Sequence, residues 1–274
     1  MLGAARDDGS SVGLVTTMGA LHQGHLSLVE AAHRDCDFVT VTIFVNPTQF
    51  GEAADLAAYP RDLGADLLLC EQAGVDAAFA PSTEEMYPSG PPATVVSPGP
   101  IASTLEGASR PGHFAGVATV LTKLFTLAGE CTAYFGEKDY QQLVVVRQLV
   151  HDLDLPVAVR GCPTVREPDG LALSSRNRWL SHDGRVAALS LWRALGAGRL
   201  LVEGGESDAG AVEAAMLTAL GASPLVVPDY AVAADPISLE PVETLENEVR
   251  LLVAGRVESV RLIDNVAASV KISA

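Results

Sequence analysis

Positive charge is scarce in this chain. Eighteen Lys and Arg stand against thirty-four Asp and Glu in 274 residues, for a formal net charge of −16. Only three of the cations are lysines, Lys123, Lys138 and Lys271. Proteins that grip nucleic-acid backbones cluster Lys and Arg, so this composition argues against a general nucleic-acid partner. The four cysteines, Cys36, Cys70, Cys131 and Cys162, include no Cys-x-x-Cys pair. That scatter suits reduced, buried thiols better than a disulfide framework or a zinc site. Long uninterrupted apolar runs are missing too, and the nearest uncharged stretch, around Met86 to Leu105, is full of Pro and Gly. No basic segment followed by an apolar run opens the sequence. The expectation is a cytoplasmic protein with no membrane partner.

What is present is apolar content of 48% against 19% charged residues, which marks a globular chain long enough for one large domain or two modest ones. Short apolar runs at Val12–Thr16, Phe38–Val45, Ala77–Ala80, Ala133–Phe135 and Val157–Cys162 alternate with helical stretches. That alternation predicts an α/β fold, a Rossmann-like parallel sheet with helices on both faces, over residues 1–163. Residues 164–274 change texture. Helices over Asp183–Leu201 and Asp208–Leu220 precede strand-like Tyr230–Ala234, Val249–Ala254 and Val260–Ile263, as in a smaller α+β domain. Within the first region, Ser82–Gly99 is too rich in Pro, Gly, Ser and Thr for a regular helix and reads as an extended loop.

The run Thr17-Met-Gly-Ala-Leu-His-Gln-Gly-His-Leu-Ser-Leu sits where the first strand hands over to a helix. A helix starting near Gly24 would hold His22 and His25 together at its positive end, where imidazoles and backbone N–H groups meet phosphates. Gly19 and Gly24 would let the backbone come close. By itself the pair also suits polar surface or half a zinc site, for which no third ligand lies nearby in sequence.

Other polar blocks each sit beside an apolar run: Asn46-Pro-Thr-Gln-Phe-Gly, Arg110-Pro-Gly-His-Phe-Ala-Gly-Val, Phe135-Gly-Glu-Lys-Asp-Tyr-Gln-Gln-Leu and Val165-Arg-Glu-Pro-Asp-Gly-Leu-Ala-Leu-Ser-Ser-Arg-Asn. Open α/β sheets bind ligands at the carboxyl edge to which several of these blocks map. Lys138 lies in one block and Lys123 close to another, and Arg110, Arg166 and Arg176 join them as local positive groups for an anionic substrate. His113 suits either solvent or a substrate-facing position.

In this order the five blocks resemble the pantoate–beta-alanine ligases, nucleotidyltransferases related to class I aminoacyl-tRNA synthetases, from about Val12 to about Asn265. Thr16, Gln23 and Leu173 depart from the family's usual Pro, Glu and Met, and the amino terminus is shorter than usual. The resemblance implies that pantoate attacks ATP to give a pantoyl adenylate and pyrophosphate. Beta-alanine then displaces AMP to give pantothenate, on the way to coenzyme A. It implies that Lys138 and Arg176 carry the transition-state charge, with His22 and His25 on the phosphates and His25 a proton donor. Met18, Gly19, Gly136, Glu137 and Asp139 would join the ATP site, Gly136 and Asp139 on the ribose. Val165 and Leu173 would meet adenine, beside a Ser174–Ser175–Arg176 loop whose plain reading is a helix-capping turn. Gln49, Gln142, Asn46 and Met18 would line the pantoate and beta-alanine pocket. Asp66 matches the aspartate linked to Mg²⁺. The family also implies a homodimer, with the smaller domain closing over ATP. No residue stands out as the base that deprotonates beta-alanine. A related nucleotidyltransferase would lack the Asn46 and Gly136 blocks, and a silent nucleotide binder would have lost the lysine or a histidine.

Overall fold

A computed structural model of the chain describes residues 1–51 and 53–270, so Lys271 lies outside the described residues. The chain divides into two units, Met1–Glu137 with Gln141–Pro163, and Lys138–Tyr140 with Thr164–Ala274. The segment Lys138–Tyr140 therefore groups with the second unit although both its chain neighbours, Glu137 and Gln141, belong to the first.

In the first unit α1 (Leu2–Asp7) precedes β1 (Val12–Thr17), α2 (Gln23–Asp35), β2 (Phe38–Ile43), α3 (Ala53–Ala58), α4 (Leu63–Gln72) and β3 (Ala77–Phe79). Then come α5 (Thr83–Met86), α6 (Leu105–Ser109), α7 (His113–Ala128), β4 (Cys131–Gly136), α8 (Tyr140–Asp152) and β5 (Val157–Cys162). The strands pair in parallel in the order β3-β2-β1-β4-β5. Runs such as Val12–Thr17 are buried almost throughout, as a strand covered on both faces requires. On one face Val15, Val41 and Tyr134 pack against Leu28 and Ala32 of α2 and Cys70 of α4. On the other, Phe125 of α7 meets Phe135 of β4 edge-on, with ring centroids 6.4 Å apart. Adjacent strand residues point to opposite faces, so Tyr134 and Phe135 serve the two layers in turn. The order reverses between β1 and β4, which places a ligand crevice beyond the carboxyl ends of those two strands.

The second unit packs α9 (His182–Ala187), α10 (Leu189–Glu203) and α11 (Ala209–Leu220) with an antiparallel sheet of β6 (Val226–Ala234), β7 (Glu248–Val257) and β8 (Val260–Ser269). Its strands run longer than their apolar segments suggest. Arg250, Asp264 and Asn265 are buried inside them, polar residues that interrupt the hydrophobic pattern but find partners there.

Three local expectations need correction. The helix over Asp183–Leu201 breaks at Ala188, where Leu191 N–H bonds back only three residues to the Ala188 carbonyl. The stretch Ser82–Gly99 contains the one-turn helix α5, because Ser82 and Glu85 cap each other's backbone N–H reciprocally. And β2 ends at Ile43, short of the expected Val45, as the chain turns into Asn46-Pro47. Among the described residues no helix is long and apolar enough to cross a membrane.

Candidate functional site

At the end of β1 the backbone turns through Gly19 (φ +80°) and Ala20 (φ +52°) before α2 begins. Left-handed backbone costs a non-glycine residue roughly 1–2 kcal/mol, so something must hold Ala20 there. Asp66 of α4 does so: its two oxygens accept the N–H groups of Ala20 at 3.0 Å and Leu21 at 2.8 Å. Hydrogen bonds to a charged group contribute about 1.5–3 kcal/mol each, enough to outweigh the strain. A side chain at Gly19 would start 2.7 Å from Asp66 Oδ2, so the close approach demands glycine. Thr17 completes the turn, its hydroxyl donating to the Thr42 carbonyl and accepting from Gly19 N–H.

The turn delivers His22 as the N-cap of α2 and His25 in its first turn. His22 Nδ1 accepts from Gly24 N–H, and His25 Nδ1 accepts from His22 N–H. Both Nδ1 atoms are thus acceptors, which assigns the neutral-ring proton to Nε2 in each imidazole. The rings lie 4.2 Å apart at the positive end of the helix.

Next to this loop a polar network forms around Asn46, which is only 1% exposed. Its Oδ1 accepts from the Tyr87 and Thr48 hydroxyls, both at 2.9 Å, and its Nδ2 donates to Gln49 Oε1 and the Gly116 carbonyl, both at 3.1 Å. Gln49 Nε2 in turn reaches Met18 Sδ at 2.7 Å, tying the network to the histidine loop. Burial raises the pKa of the Tyr87 phenol, which keeps it a donor to Asn46. His113, buried, hydrogen-bonds the Gln49 carbonyl through Nδ1 and meets Arg110 through Nε2. Since Arg only donates, His113 Nε2 is the acceptor and Nδ1 carries the proton. Lys123 sits 5.7 Å from the Tyr87 ring. Gly136 and Glu137 follow at the end of β4, and Gln142 is half-buried on α8 with no side-chain hydrogen bond among the described residues. Its neighbour Gln141 instead holds the 101–106 segment through the Ile101 and Thr104 carbonyls and Glu106 N–H.

The second unit carries the remaining sequence-predicted residues. Lys138 Nζ lies 3.4 Å from Asp139 Oδ1. Val165 and Leu173 face each other in a short hairpin, where Leu173 N–H donates to the Val165 carbonyl. Ser174 caps a 3₁₀ turn over Ser175–Trp179 by accepting from Arg176 N–H, so the capping reading of this stretch holds locally. Arg176 is half-buried and has no ion-pair partner among the described residues.

One expected role does not survive the geometry. Arg166 is no open cation for an anionic ligand: it forks onto Asp264 at 2.6 and 2.8 Å, donates to the Gly170 and Asn265 carbonyls, and stacks 4.0 Å from the Trp192 ring. Asp66, the residue expected beside Mg²⁺, meets the backbone of the histidine loop in this structure. It is 3% exposed and both its oxygens already accept backbone N–H groups. Among the described residues no group of three or more His, Cys, Asp or Glu side chains could hold a metal.

Sequence reasoning misses Tyr87, Gln141, Gly116 and the Arg250–Asn265 pair. Tyr87 lies within the stretch that reads as plain loop, and Gln141 beside the more obvious Gln142.

The family model described as pantoate-beta-alanine ligase matches residues 1–267. The chain belongs to the pantoate-beta-alanine ligase family. Two similar ligases are the pantothenate synthetase of Chloroflexus aurantiacus, 53% identical over 93% of this chain and 90% of that one, and that of Moorella thermoacetica, 51% identical over 97% and 94%. The crystal structure of pantothenate synthetase from Thermus thermophilus superposes with a TM-score of 0.90 at 50% identity, covering 97% of each chain. The pantoate-beta-alanine ligase of Francisella tularensis, crystallised with beta-gamma ATP and beta-alanine, does so at 0.78 and 35% identity over 97% of this chain and 94% of that one.

Within this ligase fold Gly116 is the tightest point of the Asn46 network. A Cβ there would lie 2.4 Å from the Thr48 carbonyl oxygen, so backbone has to move. Gly116→Ala is expected to lower the free energy of unfolding by about 1–3 kcal/mol, read by urea titration. A change under about 0.5 kcal/mol would show that the 46–49 turn is not held where the structure has it.

Proposed function

We propose that the chain condenses pantoate with beta-alanine, using MgATP as substrate and passing through a pantoyl adenylate. A pantoate carboxylate oxygen attacks the α-phosphorus and the bond to pyrophosphate breaks. The beta-alanine amine, having lost a proton, then attacks the acyl carbon, and AMP leaves. The carrying observation is the Met18–Gln49 contact, which ties the loop bearing a helix-terminal histidine pair to the buried amide network of Asn46 and Gln49 in a member of this ligase family. Phosphates suit the first and a hydroxy acid suits the second.

Charge builds on the α-phosphate and the leaving pyrophosphate, so positioned cations and donors supply most of the acceleration. Lys138 and Arg176 take that role in this reading, which suits the absence of an ion pair at Arg176 among the described residues. His22 and His25 donate through Nε2 to phosphate oxygens, and His25 serves as proton donor. Gly19 lets the loop backbone approach. Gly136, Glu137 and Asp139 belong with the ribose side, and Val165, Leu173, Ser174 and Ser175 with the rest of the nucleotide. Gln49 and Gln142 meet pantoate, with Met18 against it. Asn46, whose amide is satisfied by protein groups, shapes that pocket rather than touching the substrate. Asp66 holds the histidine loop, and the magnesium ion arrives with ATP.

A second copy of the chain is the proposed partner. Strand β3 lies at an open edge of the sheet, and Phe79 on it and Leu63 and Leu68 on α4 are between 43% and 53% exposed. Sedimentation equilibrium at micromolar concentration is expected to return twice the chain mass, and a monomer mass throughout would remove the dimer from the proposal. The reaction itself belongs in the cytoplasm.

Pyrophosphate release from MgATP and pantoate, with and without beta-alanine, tests the chemistry. Sustained release only with beta-alanine, accompanied by AMP and pantothenate, is expected; no release in either condition contradicts the proposal. Lys138→Ala and His25→Ala are each expected to lower adenylate formation by at least about a hundredfold with an unchanged circular-dichroism spectrum. Native turnover in either variant would remove that residue from the mechanism.

A further inference from the structure

Lys138 sits in a three-residue turn, Glu137–Asp139, and its side chain has four rotatable bonds and a compact charge. A cation acting on a transition state must be placed within about half an ångström, and so flexible a side chain inherits its accuracy from its backbone. What holds that backbone is remote in sequence. The Lys138 carbonyl accepts from Nδ2 of Asn265 on β8 at 2.9 Å, across 127 positions. Asn265 is fixed in turn, its Oδ1 accepting from Arg250 Nε on β7 at 2.7 Å and from a second guanidinium nitrogen. The Arg250 guanidinium lies 3.8 Å from the centroid of the Tyr140 ring, and the Tyr140 hydroxyl donates to the Pro236 carbonyl. Thus the bonded pair grips this segment twice, Asn265 at Lys138 and Arg250 two residues on at Tyr140. Arg250 and Asn265 are 6% and 4% exposed, so water offers little competition for these bonds.

We propose that Asn265, braced by Arg250, is a positioning residue for Lys138: its carboxamide fixes the backbone from which the lysine reaches the reacting phosphates. This rests on the role given to Lys138 above. Neither residue touches substrate. A polar pair buried in a sheet also serves stability, and that plain role has to be separated from positioning by a measurement that depends on Lys138.

N265D separates them. It keeps an oxygen for Arg250, removes the donor to the Lys138 carbonyl and sets an oxygen against it. The variant is made in the native and the K138A backgrounds of the full chain. Two quantities are read: the single-turnover rate of pyrophosphate release with pantoate, and the dissociation constant of MgATP by titration calorimetry, which needs no turnover. In the native background N265D is expected to slow release by about ten- to a hundredfold and weaken MgATP by about threefold or more, with the pantoate KM within about threefold. On K138A it is expected to weaken MgATP no further, because residues that act through one another are not additive. Equal weakening in both backgrounds, or none in the native one, overturns the proposal. If N265D does not fold, R250K, which keeps the charge but loses the planar fork, is taken through the same cycle with the same expectations. Native activity in K138A would sink the role of Lys138 and this inference with it. An impaired K138A beside a fully active N265D would sink the inference alone.

Discussion

One buried carboxylate sets the histidine end of this structure. Asp66 takes both backbone N–H groups of the Ala20–Leu21 step, and without that acceptor the left-handed backbone at Ala20 would have no reason to persist. The direction of the loop fixes the start of α2, the start of α2 makes His22 a cap, and the cap orients both imidazoles through Nδ1. Their Nε2 atoms are then the donors that the proposed reaction assigns to phosphate. The side chain that the family pattern links to magnesium is also the acceptor that holds a strained turn.

The second unit uses the same device with different groups. Arg166 is clamped by Asp264 and stacked on Trp192, which anchors the hairpin carrying Val165 and Leu173. Asn265, next in sequence to Asp264, holds the turn of Lys138. Adjacent residues on one strand thus fix two separate segments of the proposed nucleotide machinery.

Much of this is legible in the sequence. All five parallel strands stand out as short apolar runs between polar blocks, and the histidine pair announces itself by its place after β1. What stays hidden is polar structure inside regular elements. Asp264 and Asn265 break the apolar pattern of β8, so that strand reads short, and Arg250, inside the expected β7, gives no signal of its buried partner. Arg166 looks like a cation for substrate because nothing near it in sequence suggests Asp264, 98 positions away. Lys138–Tyr140 gives no local sign of grouping with the second unit. Periodicity reports which face is buried, and it is silent on which polar side chains meet across a hundred residues.

If Asp66 supports a loop and does not bind metal, its loss should change the rate and leave the magnesium requirement alone. The most direct measurement is a magnesium titration of pyrophosphate release by Asp66→Asn at fixed ATP and pantoate, beside the native chain. Asn can offer an oxygen to only one of the two N–H groups, so the maximal rate is expected to fall about ten- to a hundredfold. The magnesium concentration for half-maximal rate should stay within about twofold of native. A rate restored to native by excess magnesium, with the half-maximal concentration raised about tenfold or more, would show that Asp66 is a metal ligand and contradict its role as the support of the histidine loop.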